Sequence, residues 1–340
     1  MQPCSAITSL ADVRRLLRHL PGPDRAAAAR AAEREPQLTK PPGSLGRLER
    51  LTEWLCAWQG RYPPTLSRPA ARVFAANHGV AVQGVSAYPS EVTAQMVANF
   101  QAGGAAVNQL CQAFDVDLAI EAIALDDPTA DFTIAPAMTE AVFADAFNRG
   151  MMAVGSDSDL LAVGEMGIGN STAAAALAHA LFGGNASEWT GPGTGVHGAA
   201  LRRKIEVVEA GVTLHCAAAS DPLDLLRRLG GRELAAIAGA IVGARLARVP
   251  VLLDGFICTA AAAPLAAAQA GALDHCQAAH VSAEPGHRQL LRQLGKEPLL
   301  DLGMRLGEAS AAVLAVAVLR AAVACHNGMA TFGEAGVSVT

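Results

Sequence analysis

A glycine-rich segment in the middle of the chain combines residue types that could bind an anion. It reads VGEMGIGNST at Val163–Thr172 and carries one carboxylate, Glu165, and one carboxamide, Asn170. An apolar run precedes the glycines, and a run of helix formers at 173–181 follows them. A strand, a glycine loop and a helix in this order can cradle a phosphate between backbone N–H groups and a helix N-terminus. Glycines at such a turn can equally serve close packing alone.

A second glycine loop strengthens the anion-binding interpretation. TGPGTG at Thr190–Gly195 precedes a predicted helix that contains Arg202, Arg203 and Lys204. Two glycine loops that each lead into a helix favour an anionic ligand more than either loop alone. Lys204 could neutralise part of a phosphate, or it could be an ordinary surface lysine.

Two other interpretations of nearby residues stay open. Gly167 and Gly169, with Thr172, resemble a dinucleotide-binding fingerprint, and Glu188 lies near the spacing of its ribose-binding acid, although the third glycine is missing. Asp126-Asp127 follows an apolar run, as do the paired acids of phosphoribosyltransferases that use phosphoribosyl pyrophosphate. The Thr-Gly run of those enzymes is absent, so an ordinary turn is favoured here.

Glu308 is the candidate proton acceptor. It lies at or just before the first turn of a long apolar helix that is predicted to run to Cys325. The helix dipole and nearby N–H groups are expected to hold a carboxylate there in its ionised form, which suits a general base. The alternative is a glutamate that only caps the helix, and the sequence alone favours that alternative.

Composition excludes several classes of function. A net charge of −5 and an aromatic content of 4% argue against a nucleic-acid surface. The 7 cysteines form no CxxC pair, which predicts buried thiols in a reducing cytoplasm. The histidines lack HxxH and HxxxH spacing, so we expect no metal site. The N-terminus lacks a signal-peptide core, and charged residues and prolines interrupt the apolar region 234–273, so the protein is expected to be soluble and cytoplasmic.

The elements that must position these residues alternate along the chain. Short apolar runs are separated by helical stretches, at 73–76, 118–125, 160–163, 249–253 and 278–281. This alternation predicts an α/β fold with a mostly parallel sheet that helices cover on both faces. Ligands of such sheets bind at the carboxyl ends of the strands, where most of the polar candidates fall. Residues 9–60 instead predict a small helical section, broken by prolines at 21–23 and 40–44.

Taken together, these segments resemble the nicotinate-nucleotide–dimethylbenzimidazole phosphoribosyltransferase family of cobalamin lower-ligand assembly. The resemblance rests on motifs in series over nearly the whole chain: LTKPPGSLGRLE (38–49), NHGV (77–80), GVSAYPSEVT (84–93), GEMGIGNST (164–172), RKIEVV (203–208), PVLLDGF (250–256), HVSAEPGH (280–287), LGMRLGEAS (302–310) and FGEAGV (332–337). It implies a homodimer whose subunit has a Rossmann-like domain over 66–300 and a small helical domain. Residues 1–65 and 301–340 would build the small domain.

The resemblance also implies an activity and a set of site residues. The activity is transfer of the 5-phosphoribosyl group of nicotinate mononucleotide to 5,6-dimethylbenzimidazole, which makes the enzyme a pentosyltransferase without a cofactor. Glu308 would be the general base, and Glu165 and Lys204 would act beside it. The benzimidazole pocket matches Tyr88, Met96 and Leu306, and the glycine loops would hold ribose and phosphate through Gly167, Gly169, Asn170, Ser171, Thr172, Gly193 and Gly195. No metal is required, because no pyrophosphate leaves.

Two positions depart from the family pattern. Asn77 stands where family members commonly have Asp, and we expect a structural or pocket role that tolerates the amide. Ala309 stands where Gly is common, which could tighten the turn beside Glu308. Two other functions remain possible from the sequence: a phosphoribosyltransferase that uses phosphoribosyl pyrophosphate and magnesium, and a non-catalytic protein that sequesters a nucleotide or a benzimidazole.

Overall fold

A computed structural model describes residues 7–155 and 157–338. Its centre is a six-stranded sheet in which every neighbouring pair is parallel, in the order β2-β1-β3-β4-β5-β6. The strands are β1 (Pro69–Ala75), β2 (Asp117–Ala122), β3 (Leu160–Met166), β4 (Val251–Leu253), β5 (Cys276–His280) and β6 (Pro298–Leu300). The predicted parallel α/β fold is confirmed. Strand β6 was not predicted, because its three half-buried residues, between Glu297 and Asp301, are too few to stand out as an apolar run.

Helices cover both faces of the sheet. They are α1 (Leu10–Leu17), α2 (Arg25–Arg34), α3 (Arg47–Gln59), α4 (Glu91–Gln101), α5 (Ala106–Ala113), α6 (Glu140–Met152), α7 (Asn170–Phe182), α8 (Ala186–Trp189), α9 (Gly198–His215), α10 (Pro222–Leu229), α11 (Arg232–Leu246), α12 (Phe256–Ala268), α13 (Pro285–Gln293), α14 (Ser310–Gly328) and α15 (Phe332–Ala335). Each glycine loop named above ends in a helix, α7 after the first and α9 after the second, as predicted.

Alternate residues of the strands build two separate cores. In β3, Leu161 and Val163 pack with helices α6, α7, α11 and α12, whereas Leu160 and Ala162 pack with α3, α5 and α14. In β4, Leu252 joins the α14 side. Side chains of a strand alternate between its two faces, so both faces of this sheet are buried. This explains why its strands read as continuous apolar runs.

The terminal segments divide between the two layers. Ile7 and α1 pack into the core that α6 and α12 share, whereas α3 packs on α2 and α14. Leu38 pairs with Thr331 in an isolated antiparallel bridge, which joins the N-terminal and C-terminal parts of the chain. Residues 1–6, including Cys4, lie outside the described residues. The domain boundaries at 65 and 300 remain a prediction.

Helix α14 is long and apolar enough, by length and composition, to cross a membrane. It is the one such helix among residues 7–155 and 157–338. In the fold its apolar residues pack against α3, α5 and β5, and it belongs to the core on that face of the sheet.

Candidate active site

A cavity of about 320 Å³ lies at the carboxyl ends of β3, β4 and β5. Nine of the predicted site residues line it: Tyr88, Met96, Glu165, Gly167, Asn170, Ser171, Gly193, Leu306 and Glu308. The chain order reverses between β1 and β3, and in open α/β sheets ligands bind beside such a switch point. The cavity therefore borders the switch point on its β3 side and extends from there toward β5.

Glu165 is one of the acidic residues that line the cavity. It is the second-last residue of β3, it is buried, and one carboxylate oxygen accepts a hydrogen bond from the Asn170 side chain. Burial raises the pKa of Glu165 to about 8, and the nearby carboxylates of Asp254 and Glu233 contribute to that rise. The carboxyl group is therefore mostly protonated at neutral pH.

Glu308 lies in a strained turn directly before α14. Gly307, Glu308 and Ala309 all have positive φ, at 83°, 62° and 60°. Among the described residues, none donates a hydrogen bond to the Glu308 carboxylate. Burial raises the pKa of Glu308 to about 7. The expectation that the helix N-terminus stabilises an ionised Glu308 is wrong, because desolvation dominates there.

Asp254, rather than Glu308, caps α14. It follows β4, is 1% exposed, and accepts a hydrogen bond of 2.8 Å from the backbone N–H of Ala312 through Oδ1. Burial raises the pKa of Asp254 to about 7, although N–H groups of Ala309, Ala311 and Ala312 oppose that rise. The capping alternative for Glu308 is therefore wrong as well, because the α14 amides point to a carboxylate from another strand.

Lys204 lies behind the two lining residues Ser171 and Gly193. It is 1% exposed, and its Nζ donates hydrogen bonds of 2.9 Å to Ser171 Oγ and to the Gly191 carbonyl. A Cβ on Gly193 would lie 2.8 Å from Nζ, so the lysine touches both glycine loops. Burial lowers the pKa of Lys204 to about 8. Lys204 is thus a buried cation between the two loops, and the surface-lysine alternative is wrong.

Three predicted loop residues do not line the cavity. Gly169 has a φ of 98° and caps α7, Gly195 has a φ of 116° within the second loop, and Thr172 is fully buried in α7. The two glycines support the backbone path of the loops, because L side chains rarely adopt these φ values.

The other wall of the cavity is apolar. Tyr88 and Leu306 are 55% and 54% exposed. Met96, in helix α4, is partly buried. Val92, Ile168 and Phe256 extend this lining. The site thus combines acidic residues and apolar residues on the cavity lining with a buried lysine behind the glycine loops. This combination suits a ligand that has an anionic group and an aromatic ring.

Several residues that line the cavity were not predicted as site residues from the sequence. They are His280, Ser282, Glu284 and Arg305. Glu284 Oε1 accepts the Gly193 N–H at 3.1 Å, and Arg305 Nη1 donates to the Gly193 carbonyl at 3.2 Å. The HVSAEPGH motif at the end of β5 was a signal for the first three, but only the fold brings them beside the second glycine loop.

The structure also decides the weaker alternatives. Glu188 accepts the backbone N–H of Asn185 at 3.1 Å, so it caps the short helix α8. Asp127 pairs with Arg232 at 2.7 Å, outside the cavity lining. Asn77 Nδ2 donates to the Leu125 carbonyl at 2.9 Å, which is the structural role expected for the amide.

Comparisons with known proteins agree with this geometry. A family model described as phosphoribosyltransferase matches residues 20–337. Nicotinate-nucleotide–dimethylbenzimidazole phosphoribosyltransferase from Rhizobium meliloti (strain 1021) is 58% identical over 327 residues, 96% of either chain. The protein of that name from Cereibacter sphaeroides (strain ATCC 17025 / ATH 2.4.3) is 59% identical over 331 residues, 97% of this chain and 98% of its own.

A solved structure is similar over most of the fold. CobT from Thermus thermophilus superposes with a TM-score of 0.86 at 44% identity, covering 93% of this chain and 100% of that protein. Sequence and structure thus agree over nearly the full length. The chain therefore belongs to the nicotinate-nucleotide–dimethylbenzimidazole phosphoribosyltransferase family.

Proposed function

We propose that this protein transfers the 5-phosphoribosyl group of nicotinate mononucleotide to 5,6-dimethylbenzimidazole, giving α-ribazole 5′-phosphate and nicotinate. The observation that carries the proposal is the placement of Glu308. Its carboxylate lines the cavity without a hydrogen-bond donor from the described residues, while the buried Lys204 contacts the lining residues Ser171 and Gly193. A base and an anion-binding end in one cavity match a phosphorylated donor and a ring N–H acceptor.

Glu308 is the general base of the proposed reaction. The benzimidazole nitrogen attacks C1′ of the ribose, and the ring N–H must lose its proton as the new bond forms. A carboxylate with a pKa of about 7 is well matched to this task near neutral pH, where it is partly ionised and still basic. General-base assistance of this kind contributes roughly 10²–10⁴-fold to the rate.

The glycine loops hold the donor in line. Lys204 and Ser171 bind the 5′-phosphate, together with those loop N–H groups that have no acceptor within the protein. Glu165 in its protonated form donates a hydrogen bond to the ribose. Nicotinate leaves from a cationic pyridinium, so it needs no acid. Attack from the opposite face inverts C1′ from β to α, and fixing both reactants in this geometry supplies the entropic part of catalysis.

The apolar wall binds the aromatic acceptor. Tyr88, Met96 and Leu306 line the same cavity as Glu308, and they can sandwich a flat benzimidazole. No cofactor or metal takes part in the proposed reaction, because the leaving group is the pyridine ring of nicotinate rather than pyrophosphate.

We further propose a cytoplasmic homodimer, with residues 1–65 and 301–340 forming the small helical domain. Val82 and Ile134 are 81% and 76% exposed, and Gln83 Nε2 joins their segments through a 2.6 Å bond to Asp131. The exposed apolar side chains on these two joined segments support the proposal of an interface there. The described cysteines are all free, which suits a reducing compartment. Sedimentation velocity measures the oligomeric state.

The variant Glu308→Gln tests the proposed function. It keeps the shape of the side chain and removes the base, so kcat should fall by about 10²–10⁴-fold while the KM of nicotinate mononucleotide stays within a few-fold. Nicotinate release is followed with both substrates present. Glu297→Gln, at a side chain 73% exposed beside β6, is the matched control and should keep the wild-type rate.

Three results would count against the proposal. Wild-type turnover of Glu308→Gln would remove Glu308 from its role. Activity only with phosphoribosyl pyrophosphate, and none with nicotinate mononucleotide in a chelator, would favour the magnesium-dependent phosphoribosyltransferase. Binding of both ligands by the wild type without nicotinate release would favour a sequestering protein.

A further inference from the structure

Asp254 connects the sheet to the turn that carries Glu308. It follows β4 and continues the alternation of Leu252, so its side chain points to the face of the sheet that α14 covers. There Oδ1 accepts the Ala312 N–H at 2.8 Å. The other oxygen, Oδ2, is buried and has no hydrogen-bond partner among the described residues. A buried carboxylate oxygen without a donor is costly, and this one lies beside the candidate active site.

The turn that Asp254 holds is strained. Glu308 and Ala309 occupy the left-handed region, in which the Cβ of a non-glycine residue lies too close to its own backbone. Such strain persists only where the surroundings fix the backbone. A Cβ on Gly164 would lie 2.2 Å from the Ala309 nitrogen, and a Cβ on Gly307 would lie 2.3 Å from Glu165 Oε1. The turn is thus fixed between β3 and the amide contacts of Asp254.

We propose, as a refinement that rests on the proposed function, that Asp254 is a positioning residue for Glu308: by accepting the first N–H groups of α14 it orients the Glu308 turn and keeps those amides from stabilising the Glu308 carboxylate. A helix N-terminus is a good site for a negative charge. Because Asp254 occupies it, the Glu308 carboxylate is left without these donors. Glu308 raises the pKa of Asp254, and because repulsion between two like charges is reciprocal, an ionised Asp254 disfavours ionisation of Glu308.

The groups around Asp254 must be considered together. Glu308 lies on the turn before α14 and Glu165 at the end of β3, and both interact electrostatically with Asp254. Cys258 lies on α12, and burial and Asp254 raise the pKa of its thiol. His280, at the end of β5, is close to Gly255, and burial lowers the pKa of its ring to about 4. Near neutral pH the thiol and the imidazole are therefore neutral, and the carboxyl groups dominate the titration.

The variant Asp254→Asn tests the proposal. An asparagine oxygen can still accept the α14 amides, but the charge is gone. We expect the pKa of Glu308 to fall by about one unit, since loss of a like charge favours ionisation. An infrared titration of the carboxyl band that Glu308→Gln abolishes reports this pKa without turnover. The acidic midpoint of the kcat profile should fall in parallel, kcat should drop about 10-fold as the base weakens, and the KM of nicotinate mononucleotide should stay within about twofold.

Two further variants make the test decisive. Asp254→Ser is the substitute if Asp254→Asn does not fold. Serine can also cap a helix but carries no charge, so this variant should lower the pKa of Glu308 as well. Asp24→Asn, at the α2 cap where Asp24 accepts the Ala27 N–H at 2.9 Å, should leave both the pKa and the kinetics unchanged. An unchanged Glu308 pKa in a folded Asp254 variant, or a loss confined to KM or to thermal stability, would overturn the proposal. Absence of transfer in the wild type would refute only the proposed function, since the infrared readout does not need it.

Discussion

Replacing Glu165 by Gln should stabilise the fold, and the gain should grow with pH. Burial keeps the folded carboxyl group protonated up to about pH 8, whereas in the unfolded chain it ionises near its ordinary pKa of 4.5. A pKa that is raised by folding contributes stability that is fully present below the unfolded pKa and is lost as pH rises through the folded pKa. Gln resembles the protonated form at every pH and does not incur this loss.

The two pKa values set the magnitude of the effect. Linkage between about 4.5 and about 8 gives a loss for the wild type of about 1 kcal/mol at pH 5 and about 4 kcal/mol at pH 8. The free energy of unfolding of Glu165→Gln should therefore exceed that of the wild type by about 3 kcal/mol more at pH 8 than at pH 5. The Asn170 side chain can still donate to the Gln oxygen, so the local structure is kept.

Urea unfolding at pH 5, 6, 7 and 8 measures this difference directly, provided that the slopes of the transitions match. Groups that do not interact with Glu165 titrate alike in both proteins and cancel in the comparison. Asp254 and Glu308 do interact with Glu165, so the measured difference includes the change in their ionisation that the loss of Glu165 causes. Glu297→Gln is the control and should give a difference independent of pH. If the difference in free energy of unfolding between Glu165→Gln and the wild type stayed constant or shrank with pH, Glu165 would be ionised in the folded protein. That result would refute the conclusion that burial keeps Glu165 protonated.

Two further changes test other parts of the site. Lys204→Met should keep the fold, because a flexible apolar side chain fills the buried space, but it should raise the KM of nicotinate mononucleotide about 50-fold, as loss of a charged hydrogen bond predicts; wild-type KM would contradict the phosphate role. Ala309→Gly should relieve left-handed strain of about 1–2 kcal/mol but also remove a fully buried methyl group worth about 0.8 kcal/mol, so the free energy of unfolding in urea should rise by about 1 kcal/mol or less. A loss of more than about 1 kcal/mol would show that packing of the methyl group outweighs the strain.

The sequence predicts most of the sheet, because a strand that is buried on both faces is a continuous run of apolar residues. Strands β1 and β3 are fully buried or nearly so, and each appears as an apolar run. Strand β6 leaves no such trace, since its three residues are only half-buried at the edge of the sheet. Helices α7 and α9 were predictable from their glycine starts, but the packing of α1 on α12 depends on contacts that no local pattern encodes.

The site divides in the same way. Glu165, Asn170 and Ser171 lie close together in sequence, at the end of β3 and the start of α7, so a local motif predicts them. Asp254 and Glu284 act on residues far away in sequence, on the α14 amides and on Gly193 respectively. The prediction for the ionisation of Glu308 failed for this reason. The position of Glu308 before a helix was correct, but the partner of that helix comes from β4.

Two buried ionisable groups, Glu308 on the cavity lining and Lys204 behind it, form no ion pair with another described residue. The hydrogen-bond acceptors of Lys204 are the uncharged Ser171 hydroxyl and Gly191 carbonyl, and burial lowers its pKa more than the Glu284 charge raises it. Burial also raises the pKa of Glu308. A direct partner of opposite charge would stabilise each group, but in the proposed reaction it would compete with the substrate phosphate or the ring N–H. The proposed roles therefore account for stability that the fold gives up at both positions, since charged groups that bind a ligand are commonly left without a partner from the chain.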